Sequence, residues 1–275
     1  IELLAMAMFE EQRRRSGDAR LRRIFSTFVV DERRHSVVAA RLARHYDVHG
    51  YREYRESPGL TRFRPHFLAA LRYMSAEIAN AYITAGELLL DVALLRSLDD
   101  YVNDEMSHRA MRLINRDESR HIAVDYHMVE HYASPEYRGW LSRQRTASVE
   151  QQMRAGWAMA QLIRTGGPFF MEVFWAPMQV ADPDGRRLKE AIKRIQLIQD
   201  MPGVSDHPMS RLGVFLREVF NHPQFGPIFG GIVQSLVGVP ADLIGTLYSE
   251  QERRSAHEGG FEWMAKDALS AKALH

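Results

Sequence analysis

The phrase Asp-Glu-x-Arg-His occurs twice in this chain of 275 residues, at 31–35 and at 117–121. In a helix, the Glu and the His of each copy share one face and can offer a carboxylate oxygen and an imidazole nitrogen to one metal ion. Glu-x-x-His alone is expected by chance in a chain with 12 histidines. The five-residue phrase has an expected frequency of only about 0.005 per chain of this composition. The repeat therefore predicts a metal site whose ligands include Glu32, His35, Glu118 and His121.

Two lone glutamates can complete such a site. In helical bundles that hold two metal ions, two helices each supply Glu-x-x-His and the other two each supply one Glu. Glu2 lies 30 residues before the Glu of the first copy, and Glu87 lies 31 residues before the Glu of the second. The midpoints fall at Gly17, inside a turn signal, and between positions 102 and 103. Residues equidistant from the turn of a helical hairpin lie at one height, about 22 Å from the first turn, so both glutamates are predicted ligands.

The Asp that opens each copy also has a physical role to fill. A metal-bound His usually donates its second N–H group to a carboxylate. We expect Asp31 and Asp117 each to reach the His of the opposite copy, and Arg34 and Arg120 to pair with these aspartates. The competing interpretation is a metal-free helical scaffold on which the same residues form surface ion pairs.

Further residues lie one helical turn from the predicted ligands. Asp91 follows Glu87 by one turn, and Asp125 follows the second motif His by one turn. We expect both carboxylates beside the ligands, although Asp125 fits an exposed helical acid as well. The apolar residues at this spacing, which predict either core or a substrate pocket, are Met6, Phe9, Phe28 and Ile114.

A third Asp-Glu-x-x-His phrase begins at Asp104 and ends at His108. It lacks the Arg and lies 13 residues before Glu118, so it points to a different face of the helix. We interpret it as a structural or surface feature.

The remaining sequence predicts an all-α fold, because helical patterns dominate and hairpin signals between alternating runs are missing. Four long helical patterns predict a bundle over residues 1–132. They cover 1–14, 19–46, about 63–96 and about 99–132. Shorter helical stretches predict an extension over residues 133–275 that packs on the bundle within a single domain. They lie near 135–165, 169–179, 185–199, 208–220 and 241–256.

Composition excludes several classes of site. The chain has no cysteine, which removes disulfides, zinc–thiolate sites, iron–sulfur clusters and thiol nucleophiles. A net charge of +1 gives no reason to expect a nucleic-acid partner. We find no signal peptide and no apolar run of the roughly 18 residues that a membrane span needs. We therefore expect a cytoplasmic protein without a membrane partner.

With these residues in place, positions 1 to about 130 resemble the ferritin-like diiron-carboxylate superfamily. The resemblance implies a ferritin-like four-helix bundle with additional C-terminal helices, and two iron ions, or a Mn/Fe pair, that activate O2. It also implies a small or acyl-type organic substrate and an electron-donating reductase or ferredoxin. Bundles of this kind often dimerise, which leaves a homodimer open.

Among the activities of the superfamily, hydroxylation or a related oxidation of the substrate is our main expectation. One alternative is an amine N-oxygenase of the p-aminobenzoate oxygenase type. Such enzymes carry an extra metal-binding His four residues before the second motif Glu, where this chain has Ile114. The other alternative is a Mn/Fe ligand-binding oxidase without ordinary turnover. Tyr82 matches the Tyr that those oxidases carry five residues before the third-helix Glu, and so joins the candidate pocket, but Ala5 replaces the Val that it crosslinks.

Overall fold

The computed structural model describes residues 1–51, 53, 55–144 and 147–273, and every regular element in that part of the chain is a helix. The first five are α1 (Glu2–Arg15), α2 (Ala19–His45), α3 (Pro58–Tyr73), α4 (Ala76–Tyr101) and α5 (Glu105–Ala133). Six more follow: α6 (Pro135–Leu141), α7 (Val149–Phe170, continued by Met171–Trp175 and Ala176–Ala181), α8 (Arg186–Asp200), α9 (Pro208–Asn221), α10 (Gly226–Val237) and α11 (Glu250–Ala273). The predicted all-α class is confirmed.

Two helical hairpins, α1–α2 and α4–α5, carry the predicted ligands. In the first, Asp18 caps α2 by accepting hydrogen bonds from the backbone N–H groups of Arg20 and Leu21 at 2.5 and 3.2 Å. In the second, α4 ends at residue 101, and Asp104 caps α5 by accepting from the backbone N–H of Ser107 at 2.8 Å. The two turns therefore lie at the midpoints that the ligand spacing predicts, because a side-chain cap fixes where each second helix begins.

The predicted single helix over 63–96 is wrong. The chain leaves helical geometry at Met74 and restarts after Ser75, so α3 and α4 are separate. Instead of joining the bundle, α3 packs against α7, where the rings of Phe63 and Phe169 stack with centroids 4.1 Å apart. The backbone N–H of Gly59 also donates to the carboxylate of Glu172 at 2.6 Å.

Directly after Glu87, α4 widens into a π-helical segment over Leu88–Leu95. Its side chains are almost wholly buried, with Leu88 and Ala93 at 0% exposure. π-Helical turns are rare and concentrate at functional sites. The segment begins at a predicted ligand, so the unusual backbone and the predicted chemistry coincide.

The second half differs most from expectation. Helix α10 was not predicted, and the pattern near 241–256 predicted only the start of the last helix, which begins at Glu250 and extends to Ala273. This helix, α11, bends at Gly260, whose φ of +66° lies in the left-handed region that glycine tolerates. Beyond the bend, α11 returns to α5 and to the π-helical segment of α4.

Two buried apolar clusters hold the helices together. One joins α4 and α5 to the later helices, and the other joins the same two helices to α1, α2, α3 and α7. Helix α4 is long and apolar enough to cross a membrane by length and composition, although we expected no such run. Its apolar window is 67% buried inside the protein and it carries Glu87 and Asp91 at its centre, as fits a core helix of a bundle.

Candidate metal centre

The six predicted ligands come from four helices and all are buried. Glu32 and His35 lie on α2, Glu118 and His121 on α5, and each is at most 2% exposed. The two lone glutamates are buried as well, at 1% for Glu87 on α4 and 8% for Glu2 on α1. Burying a carboxylate without a partner costs free energy. Four buried glutamates together therefore require positive charge or protons to offset their negative charge.

Four of these residues form the centre of the site. Glu32, Glu87, Glu118 and His121 each bring one ligand atom to within 4.8 Å of the others. Atoms that lie around 2 Å from one ion are separated by such distances. Three carboxylates and one imidazole thus converge on one point, and the motif that predicted them supplies three of the four.

Glu118 lies between the two motif histidines. Its Oε1 is 2.8 Å from Nδ1 of His35, and its Oε2 is 2.8 Å from Nδ1 of His121. Glu32 spans the same rings less evenly, with 3.1 Å from its Oε1 to His121 Nδ1 and 4.0 Å from its Oε2 to His35 Nδ1. Both carboxylates therefore lie between the two imidazole rings, and both could contribute oxygen ligands to metal ions bound there.

The outer glutamates divide between the two imidazoles. Oε2 of Glu87 lies 3.8 Å from Nδ1 of His121. Glu2 lies within electrostatic reach of Glu32, Glu118 and His35, and burial followed by the charges of the two carboxylates raises its pKa to about 8. The arrangement resembles two half-sites that share Glu32 and Glu118.

Burial and the charges of neighbouring groups shift the pKa values of the centre. Burial and then the charge of Glu118 raise the pKa of Glu87 well above its usual value. Burial alone lowers the pKa of His121, but the surrounding carboxylates reverse this and raise it. The same contacts lower the pKa of Glu118 despite its burial. The centre holds excess negative charge, which two divalent cations would neutralise.

The polar atoms of the centre test whether metal ions fit. Ten polar atoms of the centre are buried without a hydrogen bond to any described residue: both carboxylate oxygens of Glu32 and Glu118, both nitrogens of His35 and His121, and one oxygen each of Glu2 and Glu87. Buried polar atoms are nearly always hydrogen-bonded, and these approach one another closely without the required angles. Carboxylate and imidazole donors without sulfur suit iron or manganese, so the residues fit a dinuclear centre.

The two aspartates support the histidines from the opposite copy of the motif. Asp31 Oδ2 lies 3.7 Å from Nε2 of His121, and Asp117 Oδ2 lies 3.6 Å from Nε2 of His35. Arg120 joins both aspartates at 3.0 and 3.1 Å. Each aspartate therefore lies beside the histidine of the opposite copy, as the sequence predicted, but at a distance beyond a direct hydrogen bond.

The outer surface over these aspartates is rich in arginine. Arg34 lies 3.8 Å from Asp31, and Arg116 lies 3.6 Å from Asp117, so both contacts are looser than those of Arg120. With Arg23 they line an open cleft of about 720 Å³ between α2 and α5. We call this cleft, with Arg23, Arg34, Arg116 and Arg120, the arginine surface.

Asp91 has a partner that the sequence gave no signal for. Its carboxylate is fully buried and forms an ion pair with Lys272 of α11. The ammonium also donates to the backbone carbonyl of Asn115 and to the hydroxyl of Ser119, both at 3.1 Å. Burial raises the pKa of Asp91 to about 7, and Lys272 opposes that shift.

Asp125 is buried rather than exposed. Its side chain is 1% accessible, and its Oδ2 has no hydrogen-bond partner in the described part of the chain. Burial raises its pKa well above the usual value, against the opposing charge of His121. Asp125 therefore lies inside the bundle on the same helix as His121 and one turn beyond it.

An aromatic wall covers one side of His121. The ring of Phe28 lies 4.0 Å from the imidazole, centroid to centroid, and that of Phe9 lies 5.0 Å away. Phe25 extends the wall, with its centroid 6.1 Å from that of Phe28. Phe25 was not predicted, although its position seven residues before Glu32 places it on the same helical face.

The other predicted pocket residues differ in burial and in the part of the fold where they lie. Ile114 is buried on α5, but Met6 is only half-buried and lies outside both apolar clusters. Tyr82 contacts α7, where its hydroxyl lies 3.6 Å from the sulfur of Met159. It lines an apolar cavity of about 430 Å³ between α4, α7, α8 and α9.

The third Asp-Glu-x-x-His phrase is structural, as interpreted. Asp104 caps α5, and Nδ1 of His108 lies 2.8 Å from Oδ1 of Asp99 at the end of α4. The phrase therefore fixes the α4–α5 turn rather than adding ligands.

Comparison with known protein families gives a match over more than half of the chain. The family model described as P-aminobenzoate N-oxygenase AurF matches residues 1–173. This match includes all six predicted ligands and extends past the boundary at 132 predicted for the bundle. No curated protein and no solved structure matches the chain.

Proposed function

The chain belongs to the p-aminobenzoate N-oxygenase AurF family, and from this premise we propose that it oxygenates the nitrogen of an aromatic amine with O2 at a dinuclear iron centre. The observation that carries the proposal is the family match over residues 1–173, which contains the buried Glu32, Glu87, Glu118 and His121 cluster. The match supports our alternative of amine N-oxygenation over carbon hydroxylation, the main expectation from the sequence.

Two iron ions held by the six predicted ligands (Glu2, Glu32, His35, Glu87, Glu118 and His121) would supply the two-electron activation of O2. The chain itself fixes the geometry of that centre. Glu32 and Glu118 lie between the histidines, and Asp31 and Asp117 lie beside the opposite nitrogens of the two imidazole rings. A rigid ligand set of this kind needs little reorganisation during reaction.

The aromatic wall suits the proposed substrate class. Phe9 and Phe28 present ring edges and faces to one another with centroids 5.1 Å apart, and aryl groups pack favourably against such surfaces. An aryl ring beside Phe28 would lie next to His121 and away from bulk water. We therefore propose that the aryl ring of the substrate packs against this wall, which requires Phe9 and Phe28, at most 1% exposed, to shift.

The reaction needs electrons from outside the chain. Conversion of an aryl amine to the hydroxylamine consumes O2, two protons and two electrons, forms one N–O bond and releases one water. We infer that a reductase or ferredoxin supplies the electrons. The arginine surface favours an acidic donor, because Arg120 is exposed to solvent and contacts both aspartates that hold the ligand histidines.

One position separates this chain from the arylamine N-oxygenases as described above. Ile114 replaces the additional metal-binding His, and its side chain is 4% exposed inside the bundle. We therefore propose a six-residue ligand set with a coordination position left for substrate or solvent.

The test is product formation by iron-loaded protein. The protein would be loaded anaerobically with Fe(II), given a chemical reductant and 18O2, and offered p-aminobenzoate and other aryl amines. We expect a product that has gained one labelled oxygen on nitrogen. Glu118→Gln should abolish it, whereas Glu105→Gln, a carboxylate of the third phrase that is 84% exposed, should not.

Three outcomes would overturn the proposal. Oxygenation only at carbon would return the function to hydroxylation. O2 consumption without a labelled product would favour an oxidase. Equal product from the Glu118→Gln protein would remove the centre from the reaction.

A further inference from the structure

The ion pair between Lys272 and Asp91 lies deep in the protein. Lys272 is 3% exposed and Asp91 is 0% exposed. Burial of a charge costs several kcal/mol unless it is paired and hydrogen-bonded. The ammonium meets both conditions, since it pairs with Asp91 and donates to Asn115 and Ser119.

Lys272 contacts both helices of the second hairpin next to their metal ligands. Asp91 lies on α4 one turn after Glu87, inside the π-helical segment. Asn115 and Ser119 lie on α5 around Glu118. The charge of Asp91 acts on Glu118 and on His121. A cation from the last helix is therefore set beside one half of the candidate metal centre.

The contact joins a region of the chain that lies inside the family match to a region that lies outside it. The family match ends at residue 173, and Lys272 lies about a hundred residues later, on α11. Before the contact, α11 crosses back from its bend at Gly260 to reach α4 and α5. The extension thus reaches the centre through one buried side chain.

Counting charges shows what this side chain contributes. Four glutamates and two neutral histidines match two divalent cations. Asp91 adds one negative charge close to that set, and Lys272 removes it. Without Lys272 the centre would hold an excess negative charge, and without Asp91 the buried ammonium would repel the cations.

We propose that Lys272 is a positioning residue of the metal centre, which acts through Asp91 to keep the charge around the two cations balanced and α4 fixed against α5. This inference rests on the proposed function only in requiring that the six residues bind metal. It assigns to α11 a role in a centre whose ligands all come from the first half of the chain.

The test compares Mn(II) affinity in Asp91→Asn, Lys272→Met and the double variant. The matched control is Lys266→Met, which removes an exposed lysine of the same helix that pairs with Glu262 at 2.7 Å. Affinity would be measured by competition with a chelator, and Mn(II) electron paramagnetic resonance would report the environment of the ion. Unfolding of the metal-free proteins would show that each variant folds.

The two single variants should differ in direction. Asp91→Asn leaves the ammonium uncompensated and should weaken Mn(II) binding about tenfold or more, a change of about 1.4 kcal/mol. Lys272→Met should bind as tightly as the parent or more tightly. The double variant should return to within about threefold of the parent, because opposing charge effects cancel. Lys266→Met should match the parent.

Equal weakening in both single variants, with further weakening in the double variant, would overturn the inference and make the pair a structural contact. If one single variant fails to fold, the other decides, since parental Mn(II) affinity in Asp91→Asn, or weakened affinity in Lys272→Met, would overturn the inference. A parent that binds two Mn(II) ions but oxygenates no amine would refute only the proposed function.

Discussion

Replacing Glu87 by Gln should stabilise the metal-free protein and destabilise the metal-loaded one. Glu87 is 1% exposed, and burial followed by the charge of Glu118 raises its pKa well above the usual 4.5. In the metal-free protein the raised pKa favours the protonated carboxyl, whereas the unfolded chain favours the ionised one at neutral pH. Retaining that proton costs free energy that grows with pH, by up to about 1.36 kcal/mol per pH unit.

The amide of Gln needs no proton but brings donors of its own. Unpaired buried donors cost about 1–3 kcal/mol, which offsets part of the gain from removing the acid. The folded-state pKa is raised, so the penalty carried by Glu87 is absent below pH 4.5 and grows as the pH rises. The advantage of Glu87→Gln should therefore widen between pH 5 and pH 7. With metal bound, the variant lacks one charged ligand and the order should reverse.

Urea denaturation at pH 5, 6 and 7 would measure both effects, once with a chelator and once with Mn(II). Glu105→Gln serves as the control, because its carboxylate is exposed and should give no pH-dependent difference. A metal-free Glu87→Gln protein that is less stable than the parent at pH 7 would refute the reasoning. So would a stability difference that stays constant with pH.

Three further predictions concern the turn beside α9, the aromatic wall and the arginine surface. Gly203→Ala should lower the free energy of unfolding by about 2 kcal/mol or more, as measured by urea denaturation. The reason is that φ is +83° and the added methyl group would lie 2.5 Å from a backbone oxygen. Gly17→Ala is the control, because that position has open space around it. Phe28→Leu should raise KM for an aryl amine by about threefold to tenfold, as expected for losing an aromatic contact, with Mn(II) binding unchanged. Reversing charge at Arg23 and Arg116 should slow turnover driven by an acidic donor protein and increase its salt dependence, while turnover driven by a small chemical reductant stays the same.

The repeated motif made the centre predictable because helical spacing carries over directly into three dimensions. Asp31 and Asp117 could be assigned to opposite histidines from an antiparallel arrangement alone. The position of the α4–α5 turn followed from the spacing of Glu87 and Glu118, and it proved a better guide than the capping signals near residue 97. Such predictions succeed where helical spacing alone sets the height of each residue in the bundle.

Other features depend on contacts distant in the sequence. Lys272 is one of four lysines, and nothing in its neighbourhood distinguishes it from the exposed Lys266. Its burial follows from the path of α11 after the bend at Gly260, which is decided by tertiary packing. The break between α3 and α4 at Met74 likewise depends on where α3 finds its partner on α7, and a continuous apolar pattern gives no warning of it.

The π-helical segment of α4 has a consequence for how related chains should be aligned. A π-turn accommodates one residue more than an α-turn without lengthening the helix in proportion, so it acts as an insertion absorbed inside a regular element. A relative that has a plain α-helix over Leu88–Leu95 should be one residue shorter there. A gapless alignment through α4 would then compare residues on different faces, and Asp91 would be matched to the wrong neighbour even though Glu87 was matched correctly.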